Sequence, residues 1–292
     1  MQKFLIYGGK GWVGQQIVDL LKDKNFVLGQ ARVDNEPDLV AEIKQINPTH
    51  VISLTGKTWG IIDGKTYPTI DYLEQPGKLK ENIRDNLYSQ VLLAMTCKKL
   101  NIHLTVIATG CIFEYDKDHP REEEVNGFSE EALPNFFGSS YSVVKGYCDR
   151  VMHLFDDSCL NVRIRMPITN LDNPRNFISK IIRYNKICSV KNSMTVLPEL
   201  LPVMIDMACK NMTGTINLTN PGLISHNEIL TMYKELVDNN FTWQNFSLEE
   251  QNKILDSGRS NNYLDTSKLV SLYPNVKNIK DSVKDMLLNW NK

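Results

Sequence analysis

Tyr141-Ser142-Val143-Val144-Lys145 lies inside a helical pattern, and residues four apart share one face of a helix. A phenol beside a lysine ammonium can take or give a proton, because the positive charge draws the tyrosine down from its ordinary pKa of about 10. The same spacing also describes an exposed helix pair, so its meaning depends on what accompanies it. Thr109 ends the run Ile107-Ala108-Thr109 with a hydroxyl, and Cys111 just beyond it offers a thiol, whose ordinary pKa of about 8.5 suits tuning toward a base. A further constellation sits at the start of the chain. Gly8, Gly11 and Gly14 follow the apolar run Phe4-Leu5-Ile6-Tyr7 and lead into the amphipathic stretch Gln15 to Leu21. Glycines so placed permit a tight turn, close backbone approach to a pyrophosphate and close helix-to-strand packing. The helix N-terminus adds free N–H groups and a positive dipole end. The pattern predicts a dinucleotide held by Gly8, Lys10, Gly11, Trp12, Val13 and Gly14.

These groups need a frame. Short β-rich runs alternate with helical patterns: Phe4 to Tyr7, Gln15 to Lys22, Phe26 to Val33, Asp38 to Ile46, His50 to Leu54, Asn82 to Leu100, His103 to Ala108, and Ser140 to Phe155. Asn161 to Arg165 reads as the next strand. Alternation of this kind predicts right-handed crossovers and a doubly wound parallel sheet, an α/β Rossmann architecture. Trp59 to Lys80 and Tyr115 to Gly138 lack periodicity and read as long loops that wall a site. Helices are predicted at Ser225 to Leu236 and Asn278 to Trp290. Residues 1–168 are therefore expected to form the dinucleotide-binding domain. Residues 169–292 should form mainly a smaller substrate-binding lobe, with some segments returning to the first domain.

Of 292 residues, 42% are hydrophobic, and 33 Lys plus Arg face 34 Asp plus Glu. No overall field favours nucleic acid or an anionic membrane, so a small-molecule partner is expected. Strand-like residues begin at Phe4, and no apolar run reaches the roughly 18 residues of a spanning helix, which reads as a cytoplasmic protein. The six cysteines form no C-x-x-C pair, and the five histidines show no metal-ligand spacing, so no metal is expected. At the end of the second strand, Arg32 suits a 2′-phosphate, with Lys10 nearby. NADPH is therefore favoured, while Asp34 leaves NADH open. Leu54, Thr55 and Gly56 at the third strand end should line the cofactor, as should Met166 and Pro167.

The glycine fingerprint followed by Tyr141 and Lys145 resembles the extended short-chain dehydrogenase/reductase family. The resemblance implies that Tyr141 moves a proton at the reacting oxygen, Lys145 holds the nicotinamide ribose, and Thr109 hydrogen-bonds the same oxygen. Asn86 matches an asparagine the family places between sheet and active-site helix, here counted with the cofactor residues as support. Longer segments narrow the likeness. Ala108-Thr109-Gly110-Cys111-Ile112-Phe113-Glu114-Tyr115-Asp116, Asn173-Pro174-Arg175-Asn176-Phe177-Ile178, Asn217-Leu218-Thr219-Asn220-Pro221-Gly222, Ser225-His226-Asn227-Glu228-Ile229-Leu230 and Arg259-Ser260-Asn261-Asn262 resemble the nucleotide-rhamnose synthase/epimerase-reductases. These are dTDP-4-dehydrorhamnose reductase-like proteins found in plants and giant viruses. Thr58 to Glu81 departs from the plant pattern.

That resemblance implies 3,5-epimerisation and 4-reduction of UDP-4-keto-6-deoxy-D-glucose to UDP-L-rhamnose with NADPH. Cys111 is then the expected epimerisation base, as a cysteine is in the related GDP-fucose synthases, and Lys180 its acid partner. Thr109, Gly110, Cys111, Asn176 and Arg259 are the expected substrate contacts. A reductase without epimerase activity and a noncatalytic NADP-binding subunit stand as alternatives, and a homodimer is left open.

Overall fold

The computed structural model describes residues 2–292. Alternation along the first strand decides its layering. In β1 (Lys3–Tyr7), Phe4 and Ile6 pack with Ile17, Leu21, Ile52 and Val162 on one side, while Leu5 and Tyr7 pack with Leu39, Ile43, Val51 and Leu104 on the other. A strand buried on both faces belongs to a parallel sheet covered by two helical layers. The chain continues through α1 (Trp12–Leu20), β2 (Asn25–Leu28), α2 (Glu36–Ile46) and β3 (His50–Ser53). A hairpin of β4 (Gly60–Ile62) and β5 (Lys65–Tyr67) precedes α3 (Leu79–Ile83), α4 (Ser89–Lys99), β6 (His103–Thr109), α5 (Ser140–Met152) and β7 (Cys159–Ile164). Then come β8 (Pro167–Ile168), α6 (Phe177–Ile181), β9 (Lys186–Ile187), β10 (Thr195–Val196), α7 (Leu197–Cys209) and β11 (Gly214–Asn217). The last elements are α8 (His226–Leu236), β12 (Gln244–Asn245), α9 (Leu248–Ile254), α10 (Ser267–Leu272) and α11 (Ile279–Leu288).

The main sheet is six-stranded and parallel, ordered β11-β7-β6-β3-β1-β2. From β1 the chain moves outward to β2, then crosses back to place β3 on the opposite side. The carboxyl ends of β1 and β3 therefore flank a topological switch point, where doubly wound sheets open a crevice for ligand. α7 and β11 return to this body from the later sequence: Leu200, Leu201 and Met204 join the sheet core, and β11 forms its edge. A separate apolar cluster around Ile178, Ile187, Ile229, Leu230, Ile279 and Val283 holds the other C-terminal segments together. There α8 opens on a reciprocal cap. Ser225 Oγ accepts from the Glu228 amide at 3.2 Å, and Glu228 accepts from the Ser225 amide at 2.8 Å.

Three sequence expectations change. The strand expected at Phe26 to Val33 stops at Leu28. The loop from Trp59 to Lys80 contains the β4–β5 hairpin and a tight helical turn at Ile70–Glu74. The single helix expected from Asn82 to Leu100 is divided by a π-helical turn, Arg84–Tyr88, in which the Ser89 amide reaches back to the Arg84 carbonyl. Ser89 Oγ donates to the same carbonyl at 2.8 Å. Among the described residues no helix is long and apolar enough to cross a membrane, and no group of His, Cys, Asp and Glu could hold a metal ion.

Candidate active site

The glycine loop is shaped by contacts that no larger residue would permit. Gly8 has a φ of +80°, and a Cβ there would stand 2.8 Å from the Leu54 carbonyl carbon, so the ends of β1 and β3 touch. A Cβ on Gly14 would lie 2.2 Å from the Gly8 carbonyl oxygen. The first turn of α1 is thus drawn against the loop, with its N–H groups available to an anion. A cavity of ≈ 210 Å³ continues from Gly8 between Tyr7, Ala31, Arg32, Asp34, Thr55 and Ser89. This cradle and cavity fit a dinucleotide. Arg32 is exposed and pairs with Asp34 at 2.9 Å, and Arg84 reaches the same carboxylate at 3.6 Å. Burial would push Asp34 up, but hydrogen bonds and charge from Arg32 and Arg84 hold it below the usual carboxylate range. Arg84 was not anticipated, because it lies far from Asp34 in sequence.

The wall opposite is a hydrogen-bonded shelf. Gln90 donates to the Thr55 carbonyl at 3.0 Å and its hydroxyl at 2.8 Å. Asn86 accepts from the Lys57 amide at 2.8 Å and donates to the Lys57 carbonyl at 2.8 Å and to Asn82 Oδ1 at 2.9 Å. Its carboxamide is therefore committed to protein, which corrects the expectation of a cofactor contact: Asn86 braces the loop that does the lining. Trp12 and Val13 pack partly into the core beside the sheet, Lys10 is exposed at the loop tip, and Met166 adopts φ 40°, a strained geometry for a side chain other than glycine. Pro167 follows it in β8.

Thr109 ends β6 opposite Ile164 and is buried; its Oγ1 accepts from the Cys111 amide at 3.0 Å. The tight turn at 109–111 thus carries hydroxyl and thiol on one short segment. Gly110 donates to the Ile164 carbonyl at 3.0 Å, and Asn262 donates to the carbonyls of Gly110 and Phe113 at 2.9 and 3.0 Å. α5 approaches from the other side. Ser139 caps it, accepting from the Ser142 amide at 3.0 Å, and Glu74 accepts from the Ser140 amide at 2.8 Å. Lys145 follows Tyr141 by one turn and is buried.

Burial pushes the Tyr141 phenol well up, the Cys111 sulfur adds to the rise, and the Thr109 hydroxyl hydrogen-bonded to it opposes the rise without cancelling it. Desolvation outweighs the Thr109 hydrogen bond, so the phenol lies above its ordinary range rather than below it and is protonated at neutral pH. A protonated phenol beside a hydroxyl is a donor for an oxygen gaining negative charge.

Beyond this point lies a cationic rim. Lys180 sits near the end of α6, and burial, then Arg175, then Arg259 hold its ammonium below the ordinary lysine range. Arg259 pairs with Asp71 at 2.6 Å and donates to the Ser257 carbonyl at 3.0 Å, which ties the C-terminal lobe to the 59–80 loop. Burial raises Asp71, but hydrogen bonds from Arg259, Thr69 and Ser257 outweigh it and hold the carboxyl low. Arg175 stacks over Trp59 at 4.5 Å from the ring centroid. Trp59, Asp71, Glu74 and Arg175 were not picked out from the sequence; a tryptophan in an aperiodic loop was the one available signal. Asn176 was expected to touch substrate. It is fully buried, accepts from the Thr169 and Ile178 amides at 3.3 and 3.2 Å, and donates to the Thr169 and Leu171 carbonyls at 2.9 and 2.8 Å. It is a helix cap with no capacity left for a ligand.

No family model matches the chain. It is 52% identical over 287 residues to protein L780 of Acanthamoeba polyphaga mimivirus, covering 98% of this chain and 97% of that one. The crystal structure of the L780 UDP-rhamnose synthase superposes with a TM-score of 0.94 at 51% identity, covering 98% and 99% of the two chains. A bifunctional dTDP-4-dehydrorhamnose 3,5-epimerase/dTDP-4-dehydrorhamnose reductase of Arabidopsis thaliana is 43% identical over 292 residues, covering 99% and 93%. The match to an Arabidopsis trifunctional UDP-glucose 4,6-dehydratase/UDP-4-keto-6-deoxy-D-glucose 3,5-epimerase/UDP-4-keto-L-rhamnose-reductase is 44% identical and spans 42% of that longer protein.

Proposed function

The chain belongs to the nucleotide-rhamnose 3,5-epimerase/4-reductase family, and from that premise we propose that it converts UDP-4-keto-6-deoxy-D-glucose to UDP-L-rhamnose with NADPH. The observation that carries this reading is the meeting of Thr109, Cys111 and Tyr141 at one strand end, in a chain similar to such enzymes along nearly its whole length. Gly8, Gly11, Gly14 and the α1 N-terminus would hold the pyrophosphate, Arg32 the 2′-phosphate, and Tyr141 with Lys145 the nicotinamide ribose. When bound, NADPH supplies the hydride for C4.

The chain's own groups handle the protons. A 4-ketone acidifies the hydrogens on C3 and C5, because the electron pair left behind spreads onto the carbonyl oxygen. Cys111 takes a proton from one face, and Lys180 returns one to the other. Burial and neighbouring cations make the Lys180 ammonium a readier acid than a solvated lysine. After both inversions, Tyr141 donates its phenolic proton to the C4 oxygen while Thr109 hydrogen-bonds the same atom. Arg259 and Arg175 face the anionic nucleotide diphosphate, which suits planar guanidinium donors.

The test incubates the purified protein with UDP-4-keto-6-deoxy-D-glucose and NADPH, follows reduced nicotinamide by absorbance, and identifies the sugar by NMR. UDP-L-rhamnose supports both activities in this chain. An unepimerised 6-deoxy sugar would leave a reductase alone, and NADPH binding without turnover would leave a noncatalytic subunit. A parallel run with the dTDP sugar decides the base. Cys111→Ala should stop solvent deuterium from entering C3 and C5 while an already epimerised ketone is still reduced.

A further inference from the structure

The tight turn Ile70–Glu74 carries two carboxylates that grip different parts of the molecule. With about three residues per turn, positions three apart lie over one another, so Asp71 and Glu74 share a face. Tyr72 and Leu73 between them are buried, and Tyr72 donates to Glu81 at 2.8 Å, which ties the turn to α3. Asp71 takes hold of the C-terminal lobe, accepting from Arg259 Nη2 at 2.6 Å and from Ser257 Oγ at 2.7 Å. Glu74 takes hold of the start of α5. One of its oxygens accepts from the Ser140 amide at 2.8 Å and from the Ser140 hydroxyl at 2.9 Å. Tyr141 is the next residue.

A third contact closes the figure. The Gly258 amide donates to the Gly138 carbonyl at 2.7 Å, so the segment bearing Arg259 is bonded directly to the residue before the α5 cap. A Cβ on Gly258 would stand only 3.0 Å from that carbonyl oxygen, and glycine permits the approach. The hydrogen bonds thus run in a ring: from Glu74 to Ser140, along the chain to Gly138, across to Gly258, on to Arg259 and back through Asp71. The Ser139 cap acts on Ser142, one turn into the helix. Glu74 adds a hold from outside on the Ser140 amide, one of the donors that a helix leaves unpaired at its start. A phenol ends a long rigid side chain, so a small rotation of this first turn displaces the Tyr141 oxygen by more than it displaces the backbone.

We infer that Glu74 is a positioning residue for the reduction: by holding both donors of Ser140 it fixes the first turn of α5, and with it the Tyr141 phenol, against the lobe segment that carries Arg259. This rests on the reading of Tyr141 as the proton donor to the C4 oxygen. In that step the phenolic proton passes to the oxygen as C4 receives hydride from NADPH, and solvent returns a proton to the phenolate. Transfer requires donor and acceptor about 2.6–3.2 Å apart, so the rate is sensitive to where the phenol stands. The thiol loop is held separately, by the Ser142 hydroxyl on the Cys111 carbonyl and by Thr109 Oγ1 on the Cys111 amide. Losing Glu74 therefore separates the two activities.

The experiment compares wild type, Glu74→Ala, Glu74→Gln and Ser140→Pro in single-turnover reduction of the pre-epimerised UDP-4-keto sugar, in solvent deuterium entry at C3 and C5, and in NADPH affinity by fluorescence. Ser140→Pro removes both donors from the other side of the contact. Proline is favoured at the first helical position, and Ser139 before it is already extended (φ −148°, ψ 150°), so this variant serves if Glu74→Ala does not fold. Glu74→Ala and Ser140→Pro should each slow reduction at saturating sugar about tenfold. Half-saturation by the sugar should stay within about twofold, as for an interaction felt only in the transition state. NADPH affinity should hold within about twofold and deuterium entry within about threefold, and Glu74→Gln, which keeps an acceptor oxygen, should recover most of the lost rate. Reduction at the wild-type rate in both variants, a loss confined to half-saturation, deuterium entry falling in step with reduction, or no recovery in Glu74→Gln would overturn the inference. Failure of the underlying reading appears elsewhere, as wild type that does not reduce the ketone or Tyr141→Phe that reduces it at full rate.

Discussion

Ser142 donates from its hydroxyl to the Cys111 carbonyl at 2.8 Å, which fastens the helix of Tyr141 and Lys145 to the loop that bears the thiol. The same hydroxyl accepts from Ser139 at 2.9 Å, so the helix cap, the helix and the loop form one connected unit. In the proposed reaction, reduction and epimerisation draw on groups whose relative positions are set by this link.

Ser142→Ala removes the link without touching a reacting atom. It leaves the part-buried Cys111 carbonyl without that donor, and should cost about 0.5–1.5 kcal/mol of stability. Both activities should fall together, by several-fold, as the two carriers lose register. Thermal melting with parallel assays of deuterium exchange and reduction checks this; a selective loss of one activity would contradict it.

Tyr141→Phe should abolish reduction, because no other group beside Thr109 supplies the proton for the C4 oxygen. NADPH affinity should stay within a few-fold of wild type, since Lys145 and the glycine loop remain. Fluorescence titration of NADPH beside single-turnover reduction separates the two effects.

Lys180→Met should stabilise the protein while impairing epimerisation. Burial and the neighbouring Arg175 and Arg259 disfavour the charged side chain in the folded state. Below the depressed folded pKa the wild type carries that penalty in full. Between that value and the ordinary lysine value the unfolded chain binds the proton more readily, so this group's contribution to stability rises with pH. The variant's Tm should therefore exceed wild type near neutrality, with the difference shrinking as pH climbs. Melting curves from pH 7 to 10 decide it, and a lower Tm at pH 7 would refute the argument.

Gly14→Ala should remove dinucleotide binding, because its Cβ would stand 2.2 Å from the Gly8 carbonyl and force helix and loop apart. Equilibrium binding of NADPH is the readout, with circular dichroism to verify that the sheet remains. Unaltered affinity would show that the loop does not hold the pyrophosphate.

The sheet was legible because its signals are local. Phe4 to Tyr7 followed by glycines at 8, 11 and 14 specify strand, turn and helix within fifteen residues. Tyr141 and Lys145 were singled out by type and spacing, and Thr109 and Cys111 by the resemblance, and the structure brings Thr109, Cys111 and Tyr141 to one strand end. What escaped depends on contacts distant in sequence. The residues Arg84 to Tyr88 have ordinary helical propensity, and the partners their π-helical turn meets, Lys57 at Asn86 and Asp34 at Arg84, lie far off in sequence. Asn176 looked like a ligand group because an asparagine reads the same whether it caps a buried helix or faces solvent. The Tyr141 shift went the other way because burial, which the sequence does not display, outweighs the pattern around it. Asp71 and Arg259 lie 188 positions apart, and nothing near either one announces the other.

Gly110 is the whole separation in sequence between the Thr109 hydroxyl and the Cys111 thiol. In the proposed reaction this makes stereochemical fidelity a question of timing. The ketone is the electron sink for inversion, and reducing it freezes whatever configuration the ring then has. A hydride delivered early would trap a half-converted sugar as a dead end, with no later route to correction. With both activities on one turn of chain, they cannot be kept apart by distance, so the correct product requires inversion to win a race against reduction.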